Sequence, residues 1–234
     1  RNRVINDSLR MNKKLDLDKL KQLQANSFSA YAKDANEVIL KSLKDKHESD
    51  VIYKLLADWN GEYKANSKAA VVYENLFQEI YNNTFEEILQ YEDTIDILYP
   101  EEWRLIELMK KDENSIVFDD IKTPAKETMK DVIEKSFQSV NKDVIESIPT
   151  WGEKKPVKIQ HYTRLPALSV EDLYIDGNKD TPNAMQATFG PSWRMVVELS
   201  EPINAYGVFP GGQSGNPLSP HYKDQVEKWS KLEY

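Results

Sequence analysis

Residues 190–199 read Gly-Pro-Ser-Trp-Arg-Met-Val-Val-Glu-Leu, and this stretch decides the fold class that the sequence predicts. From Trp193 to Leu199 every second side chain is apolar, which is the period of a β-strand that buries one face. An alternating run at 185–189 precedes it, and a third strand-like run at 203–209 follows it. Because the three runs are close neighbours, they predict an antiparallel meander.

The first 150 residues have a different periodicity. Apolar side chains recur every three to five positions over 69–88 and again over 125–144, as on helices that bury one face. Thr123 and Pro124 suit the cap and the first residue of the second helix. Shorter helices are predicted at about 18–25, 28–45, 49–58 and 101–111.

Glycine and proline mark the change between the two periodicities. Seven of the eight glycines and eight of the eleven prolines follow residue 150. Both residue types favour turns and weaken helix interiors. We therefore predict an α+β chain with a helical region at 1–150 and a strand-rich region at 151–234. A C-terminal helix is predicted to start at Ser219 and Pro220, with Asp224 in its first turn.

Composition excludes several classes of protein. The chain has 234 residues, a net charge of −8 and no cysteine. It therefore cannot form disulfides, thiolate metal sites or a cysteine nucleophile. The acidic balance predicts neither a nucleic acid nor an anionic membrane as partner. No run of about 20 apolar residues is present, so no membrane-spanning helix is predicted.

The segment Gly-Gln-Ser-Gly-Asn at 212–216 is similar to the turn that presents a nucleophilic serine in many hydrolases. That turn needs a glycine two residues before and two residues after the serine. Here Asn216 stands at the second of these positions, and Pro217 follows it. We therefore predict a structural glycine turn around Ser214 rather than a nucleophile.

Asp176, Asn178 and Asp180 have the alternate spacing that opens a calcium-binding loop. The sixth position of such a loop would be Thr181 rather than glycine, and the twelfth would be Ala187 rather than glutamate. The sequence therefore predicts an ordinary polar turn here and no metal site.

The remaining candidates are the three histidines and one arginine. His47, His161 and His221 are far apart, and none has a second histidine at the spacing of a helical metal site. A hydrogen-bonded structural role is predicted for each.

Arg194 lies inside the predicted strand, where an unpaired charge would be costly, so we predict a carboxylate partner for it. Anchoring of an acidic substrate is the alternative. The residues alone thus indicate no catalytic, cofactor-binding or metal-binding side chain.

Several collinear segments resemble the penicillin acylase family. The resemblance is carried near the C-terminus by 190–199 and by Pro-Gly-Gly-Gln-Ser-Gly-Asn-Pro-Leu-Ser-Pro-His-Tyr at 210–222, continued by Lys223, Asp224, Gln225 and Trp229. Upstream, Leu-Leu-Ala-Asp-Trp-Asn-Gly at 55–61 resembles the family's lead into Trp-Asp-Gly, with Asn60 in place of Asp. Segments 24–32 and 161–168 also resemble family segments in the same order.

Penicillin acylases and the similar acyl-homoserine lactone acylases are N-terminal nucleophile hydrolases, made as one precursor that cuts itself into two subunits. In that chemistry the N-terminal serine of the large subunit attacks the amide carbonyl, and its own amine takes the proton. Backbone N–H groups and an asparagine side chain hold the oxyanion. The resemblance covers the last part of the large subunit only, and the chain begins with Arg1 rather than serine.

The resemblance therefore implies that the nucleophile, the oxyanion asparagine and the family's calcium-binding carboxylates belong to upstream segments. This chain would hold no cofactor and would be inactive alone, as one part of an αββα fold. Its expected partners are the upstream remainder of the same precursor and a small-molecule acyl amide. Export to the periplasm is the localisation that the family implies.

A rival interpretation comes from a different class of protein. The chain could be a non-catalytic helical binding or interaction module of the cell envelope. The lack of a catalytic constellation and the acidic, helix-rich first 150 residues favour it.

Overall fold

A computed structural model describes residues 1–12, 14–91, 96, 98–141 and 145–234, which fall into two compact units. The strand unit comprises Arg1–Ala30, Gly61–Ser67 and Thr150–Tyr234, and the helical unit comprises Tyr31–Asn60 and Lys68–Pro149. Helices combined with small antiparallel sheets confirm the α+β class. The predicted regions 1–150 and 151–234 divide the chain differently from these units, and as domains they stay a prediction.

Amphipathic helices build the helical unit. They are α3 (Ala30–His47), α4 (Val51–Ala57), α5 (Lys68–Leu89), α6 (Glu102–Lys111) and α7 (Met129–Val140), with 3-10 turns at Ile116–Phe118 and Ile145–Ser147. Helix α5 packs against α7. Helix α5 buries the predicted apolar residues from Ala69 to Phe85, and α7 buries those from Met129 to Val140. Within the described residues, no helix has both the length and the apolar character to cross a membrane.

Helix α7 begins later than predicted. Thr123 and Pro124 lie in turns, and the helix starts at Met129. The backbone N–H and the hydroxyl of Thr128 both donate to Asp131 Oδ2, at 2.9 Å and 2.6 Å. This arrangement satisfies the helix N-terminus, so Thr128 is the cap. Val144, the last residue of the predicted stripe, lies outside the described residues.

Two separate hairpins characterise the strand unit. Strand β1 (Val157–Ile159) pairs antiparallel with β2 (Val170–Leu173), and β3 (Arg194–Glu198) pairs antiparallel with β4 (Asn204–Val208). The helices of this unit are α1 (Asn2–Met11), α2 (Leu17–Gln24), α8 (Trp151–Lys154) and α9 (Val226–Ser230). Its apolar core contains Val157, Ile175, Met185, Val208 and Trp229.

The predicted three-stranded meander is wrong in its first strand. Residues 185–189 form no strand, although Ala187 O accepts a hydrogen bond from Lys158 N of β1 at 3.0 Å, because local turn bonds interrupt the segment. Met185 N donates to Asn183 O, and Gln186 N donates to Phe189 O. The C-terminal helix also starts later than predicted, at Val226, and turns occupy 219–225.

The predicted buried face of β3 is also wrong. Arg194 and Val196 point inward, while Trp193, Met195 and Val197 are 52%, 43% and 37% exposed. Across the hairpin, Met195 lies opposite Gly207 and Val197 lies opposite Ala205, and the Trp193 ring stacks on Phe209 with centroids 5.7 Å apart. We call these six residues the hairpin face. It is an apolar sheet surface that no other described part of its unit fully covers.

We predict that Asp131→Ala lowers the free energy of unfolding by about 1 kcal/mol, because both capping bonds from Thr128 are lost. Urea unfolding at neutral pH measures the change. Asp45→Ala is the matched control, since Asp45 is exposed inside α3, and it should change stability by less than about 0.5 kcal/mol. Equal unfolding midpoints for the two variants would show that Thr128 is not the effective cap.

Candidate functional site

The buried guanidinium of Arg194 is the best-defined polar site in the strand unit. The residue is 3% exposed. Nη1 donates to Trp229 O at 2.7 Å, and Nη2 donates to Asn183 Oδ1 at 3.1 Å. The guanidinium also lies 5.1 Å from the centre of the Trp229 ring. Within the described structure, Nε has no hydrogen-bond partner.

The predicted carboxylate partner of Arg194 is therefore wrong. Neutral oxygens and an aromatic face stabilise the charge instead. Burial lowers the pKa of Arg194 to about 10, and the nearby Tyr234 opposes this shift. The guanidinium is still charged at neutral pH. Since its donors are directed at the protein itself, it acts as a structural connector between β3, Asn183 and α9.

The loop before β3 contains the three oxygen-bearing residues of the calcium-like spacing. Asp176 Oδ1 accepts a hydrogen bond from Ala65 N at 2.7 Å, and its other oxygen lies 3.1 Å from Lys64 Nζ. Asn178 Oδ1 accepts from Asp180 N at 3.1 Å. These oxygens thus bond to neighbouring protein groups, and none of the described residues forms a cluster suited to a metal ion.

Ser214 lies in a loop of turns rather than at a strand-to-helix step. Its backbone N–H donates to His221 O, and its Oγ accepts from Asn216 N, each at 3.1 Å. A side chain at Gly212 would collide with the carbonyl of His221, so the loop needs glycine there. In this part of the described chain no hydrogen bond joins Ser214 Oγ to a histidine. The absence of a catalytic role for Ser214 stays a prediction.

His221 lies in the same loop and forms a pair with Asp224. Its Nδ1 is 2.9 Å from Asp224 Oδ2, and the imidazole is largely exposed. The spacing of three residues signals this pair, which was not predicted from the sequence. A histidine–carboxylate pair can orient a base, but Ser214 meets His221 only through the backbone.

His161 lies across a small cavity from this loop. Its Nδ1 accepts a hydrogen bond from Thr163 N at 3.2 Å and lies 2.8 Å from Thr163 Oγ1. His161 lines a cavity of about 220 Å³ together with Ser214, Tyr222 and Lys223. The structure thus brings two of the candidate residues to one cavity, without a hydrogen bond between them.

Two further residues of this cavity, Tyr222 and Lys223, join loops. Tyr222 OH donates to Leu168 O, and Lys223 Nζ donates to Ser169 O, each at 2.8 Å. These bonds connect the segment after the glycine turn to the start of β2. His47, the third histidine, lies in the helical unit between two carboxylates.

An apolar groove of about 410 Å³ runs along β3 in the strand unit. Eight of its nine lining residues are apolar, and they come from α1, α2, β3 and the preceding loop: Ile5, Leu9, Leu20, Leu23, Pro182, Met195, Val196 and Val197. The ninth, Gln24, donates to Met195 O at 2.8 Å. The sequence did not indicate this groove, because α1 was not among the predicted helices. Met195 and Val197 belong to both the groove and the hairpin face.

We predict that Arg194→Met lowers the free energy of unfolding by about 2–4 kcal/mol, because Trp229 O and Asn183 Oδ1 both lose a donor while buried. The measurement is urea unfolding of the full chain. Arg10→Met, in the same unit but exposed, should change stability by less than about 1 kcal/mol. A wild-type midpoint for Arg194→Met would refute the connector role and favour the alternative of substrate anchoring.

Comparison with known proteins identifies one family and several acylases to which the chain is similar. The family described as penicillin amidase matches residues 1–234, which is the whole chain. The acyl-homoserine lactone acylase QuiP of Pseudomonas syringae pv. tomato (strain ATCC BAA-871 / DC3000) is 26% identical over 92% of this chain and 29% of its own length. QuiP of Pseudomonas aeruginosa is 43% identical over 19% of this chain and 5% of its own, and QuiP of Pseudomonas fluorescens is 35% identical over 26% and 9%.

The share of each relative that the chain covers differs from the share of the chain that the family covers. The chain spans 29% of the length of the first of these relatives, so it corresponds to a minor part of that enzyme. The family match, in contrast, includes every residue of the chain. The chain therefore belongs to the penicillin amidase family.

Proposed function

We propose that this chain is the scaffold-forming C-terminal portion of an acylase. The enzyme hydrolyses the amide bond between an apolar acyl group and a polar amine such as homoserine lactone. The family match over residues 1–234 carries this proposal, and relatives that are named acyl-homoserine lactone acylases support the substrate class. Enzyme relatives over most of the chain favour the acylase over a non-catalytic envelope module.

The attacking group in this proposal is an N-terminal serine outside residues 1–234. Its hydroxyl adds to the amide carbonyl, its own amine accepts the proton, and the amine product leaves before water releases the acid. Backbone N–H groups and an asparagine outside these residues stabilise the oxyanion. The local bonding of Ser214 and of the three histidines supports a structural role for this chain.

The partner in this proposal is the remainder of the same precursor. Among the described residues β3 pairs only with β4, so this sheet has two strands and leaves edges that a further strand could extend. The hairpin face and the groove along β3 are apolar and partly exposed. Strands or helices of the remaining precursor would bury both surfaces and complete an αββα sandwich. Export to the periplasm belongs to the same proposal.

The first test is an activity assay on the purified 234-residue chain. We expect no release of homoserine lactone from an N-acyl-homoserine lactone above the buffer rate, because the nucleophile lies elsewhere. An intact acyl-homoserine lactone acylase is the positive control. Hydrolysis at a rate comparable to that control would contradict the proposal and would make Ser214 a candidate nucleophile.

The second test separates the scaffold proposal from a free-standing module. Val197→Asp places a charge on the hairpin face. In the precursor that the proposal requires, burial of that charge should lower the yield of processed, active acylase by about tenfold or more. In the 234-residue chain alone the same change should be tolerated, since Val197 is partly exposed. Glu198→Gln, on the next residue of β3, is the matched control. Full yield of the Val197→Asp precursor would refute burial of this face.

A further inference from the structure

His47 ends α3 between two carboxylates of the helical unit. Its Nδ1 lies 2.7 Å from Asp50 Oδ2, and its Nε2 lies 2.9 Å from Glu134 Oε1. Asp50 precedes α4, and Glu134 lies on α7. The three side chains are only 16%, 30% and 19% exposed, so water competes weakly for these bonds. One imidazole thus connects the end of α3 to α7.

Only the protonated imidazole can donate to both carboxylates. A neutral imidazole has one N–H, and its second nitrogen presents a lone pair. After loss of the proton, either Asp50 or Glu134 would therefore face an acceptor at hydrogen-bond distance. We propose that His47 is a proton-dependent clamp, which holds α7 against the end of α3 while the imidazole is charged and loosens this contact when the imidazole becomes neutral.

The groups around the clamp determine how far it can open. From α7, Gln138 Nε2 donates to Glu134 Oε1 at 2.7 Å, and the Phe137 ring lies 4.6 Å from the imidazole, centre to centre. From the residue after α7, Asn141 Nδ2 donates to Asp50 Oδ2 at 3.2 Å.

Charged neighbours act on the same carboxylates. Lys46, adjacent to His47 on α3, lies 3.7 Å from Glu134 Oε2, and it also interacts electrostatically with Asp131. These donors and this cation remain when His47 loses its proton. Deprotonation should therefore loosen the contact between α3 and α7 rather than unfold the unit.

The pKa shifts of His47 and Glu134 agree with this geometry. Partial burial disfavours the charged imidazole, but the hydrogen bonds to Glu134 and Asp50 outweigh it and raise the pKa of His47. Burial likewise opposes ionisation of Glu134, yet the bond from His47 leads the effects that lower its pKa.

The pKa shifts of His47 and Glu134 determine how the stability that the clamp contributes changes with pH. A raised imidazole pKa contributes stability that is complete below the unfolded value of about 6.5 and is lost as the pH rises through the folded value. A lowered carboxyl pKa contributes stability above the unfolded value of about 4.3, and this is lost as the pH falls further. The clamp is therefore strongest in mildly acidic solution and weakens toward alkaline pH.

The test combines titration with local hydrogen exchange on the full chain. Three histidines give few imidazole NMR signals, and we expect that of His47 to titrate above about 6.5. Between pH 6 and pH 9, amide protection over Met129–Val140, corrected for intrinsic exchange, should fall by about tenfold for each unit by which the pKa is raised.

Two variants and one control make the result specific. His47→Gln should abolish the pH dependence of protection in α7, and Glu134→Gln should move the pKa of His47 back toward about 6.5. His161→Gln, in the strand unit, should leave both readouts at wild-type values. If His47→Gln fails to fold, the wild-type titration and Glu134→Gln decide the matter. A wild-type pKa at or below about 6.5, or protection of α7 that is equal at the two pH values, would overturn the clamp.

Discussion

One buried charge organises the strand unit. Arg194 is held by Trp229 O and Asn183 Oδ1, so β3, the preceding loop and α9 must be in place together. Asn183 extends this network, since its Nδ2 donates to Asp176 O and its backbone N–H donates to Asn26 O. A buried guanidinium without such partners would cost several kcal/mol. The polar network therefore specifies how segments that are distant in sequence assemble.

The orientation of Arg194 also sets the two faces of its hairpin. Side chains alternate along a strand, so an inward Arg194 requires an inward Val196 and an outward Met195. The more apolar half of the strand consequently points away from the core of its own unit. In the proposed acylase, another protein surface covers this hairpin face.

The sequence predicted helices better than strands, for a physical reason. Helices such as α5 repeat their apolar stripe over many turns, so a wrong residue does not hide the period. Strands β1 and β2 contain three and four residues, too few for an alternation to be recognised. At β3 the alternation is visible in the sequence. Its more apolar side was expected to face the core of the chain, and the structure shows the opposite side facing it. The partners of Arg194 could not be predicted, because two are backbone or amide oxygens brought near it only by the fold.

Three ionisable groups, those of Arg194, Asp131 and His47, also agree with a scaffold role for the chain. Catalytic groups need a pKa near the working pH and access to the reacting atoms. The pKa of Arg194 is about 10, and the pKa of Asp131 is lowered by the bonds from Thr128, so neither exchanges protons near neutrality. The pKa of His47 is raised, but both ring nitrogens are bonded to carboxylates, so its proton serves the contact between α3 and α7. Each of these three groups is engaged in contacts within the fold, which agrees with the proposal that the base of the acylase is the amine of an N-terminal serine.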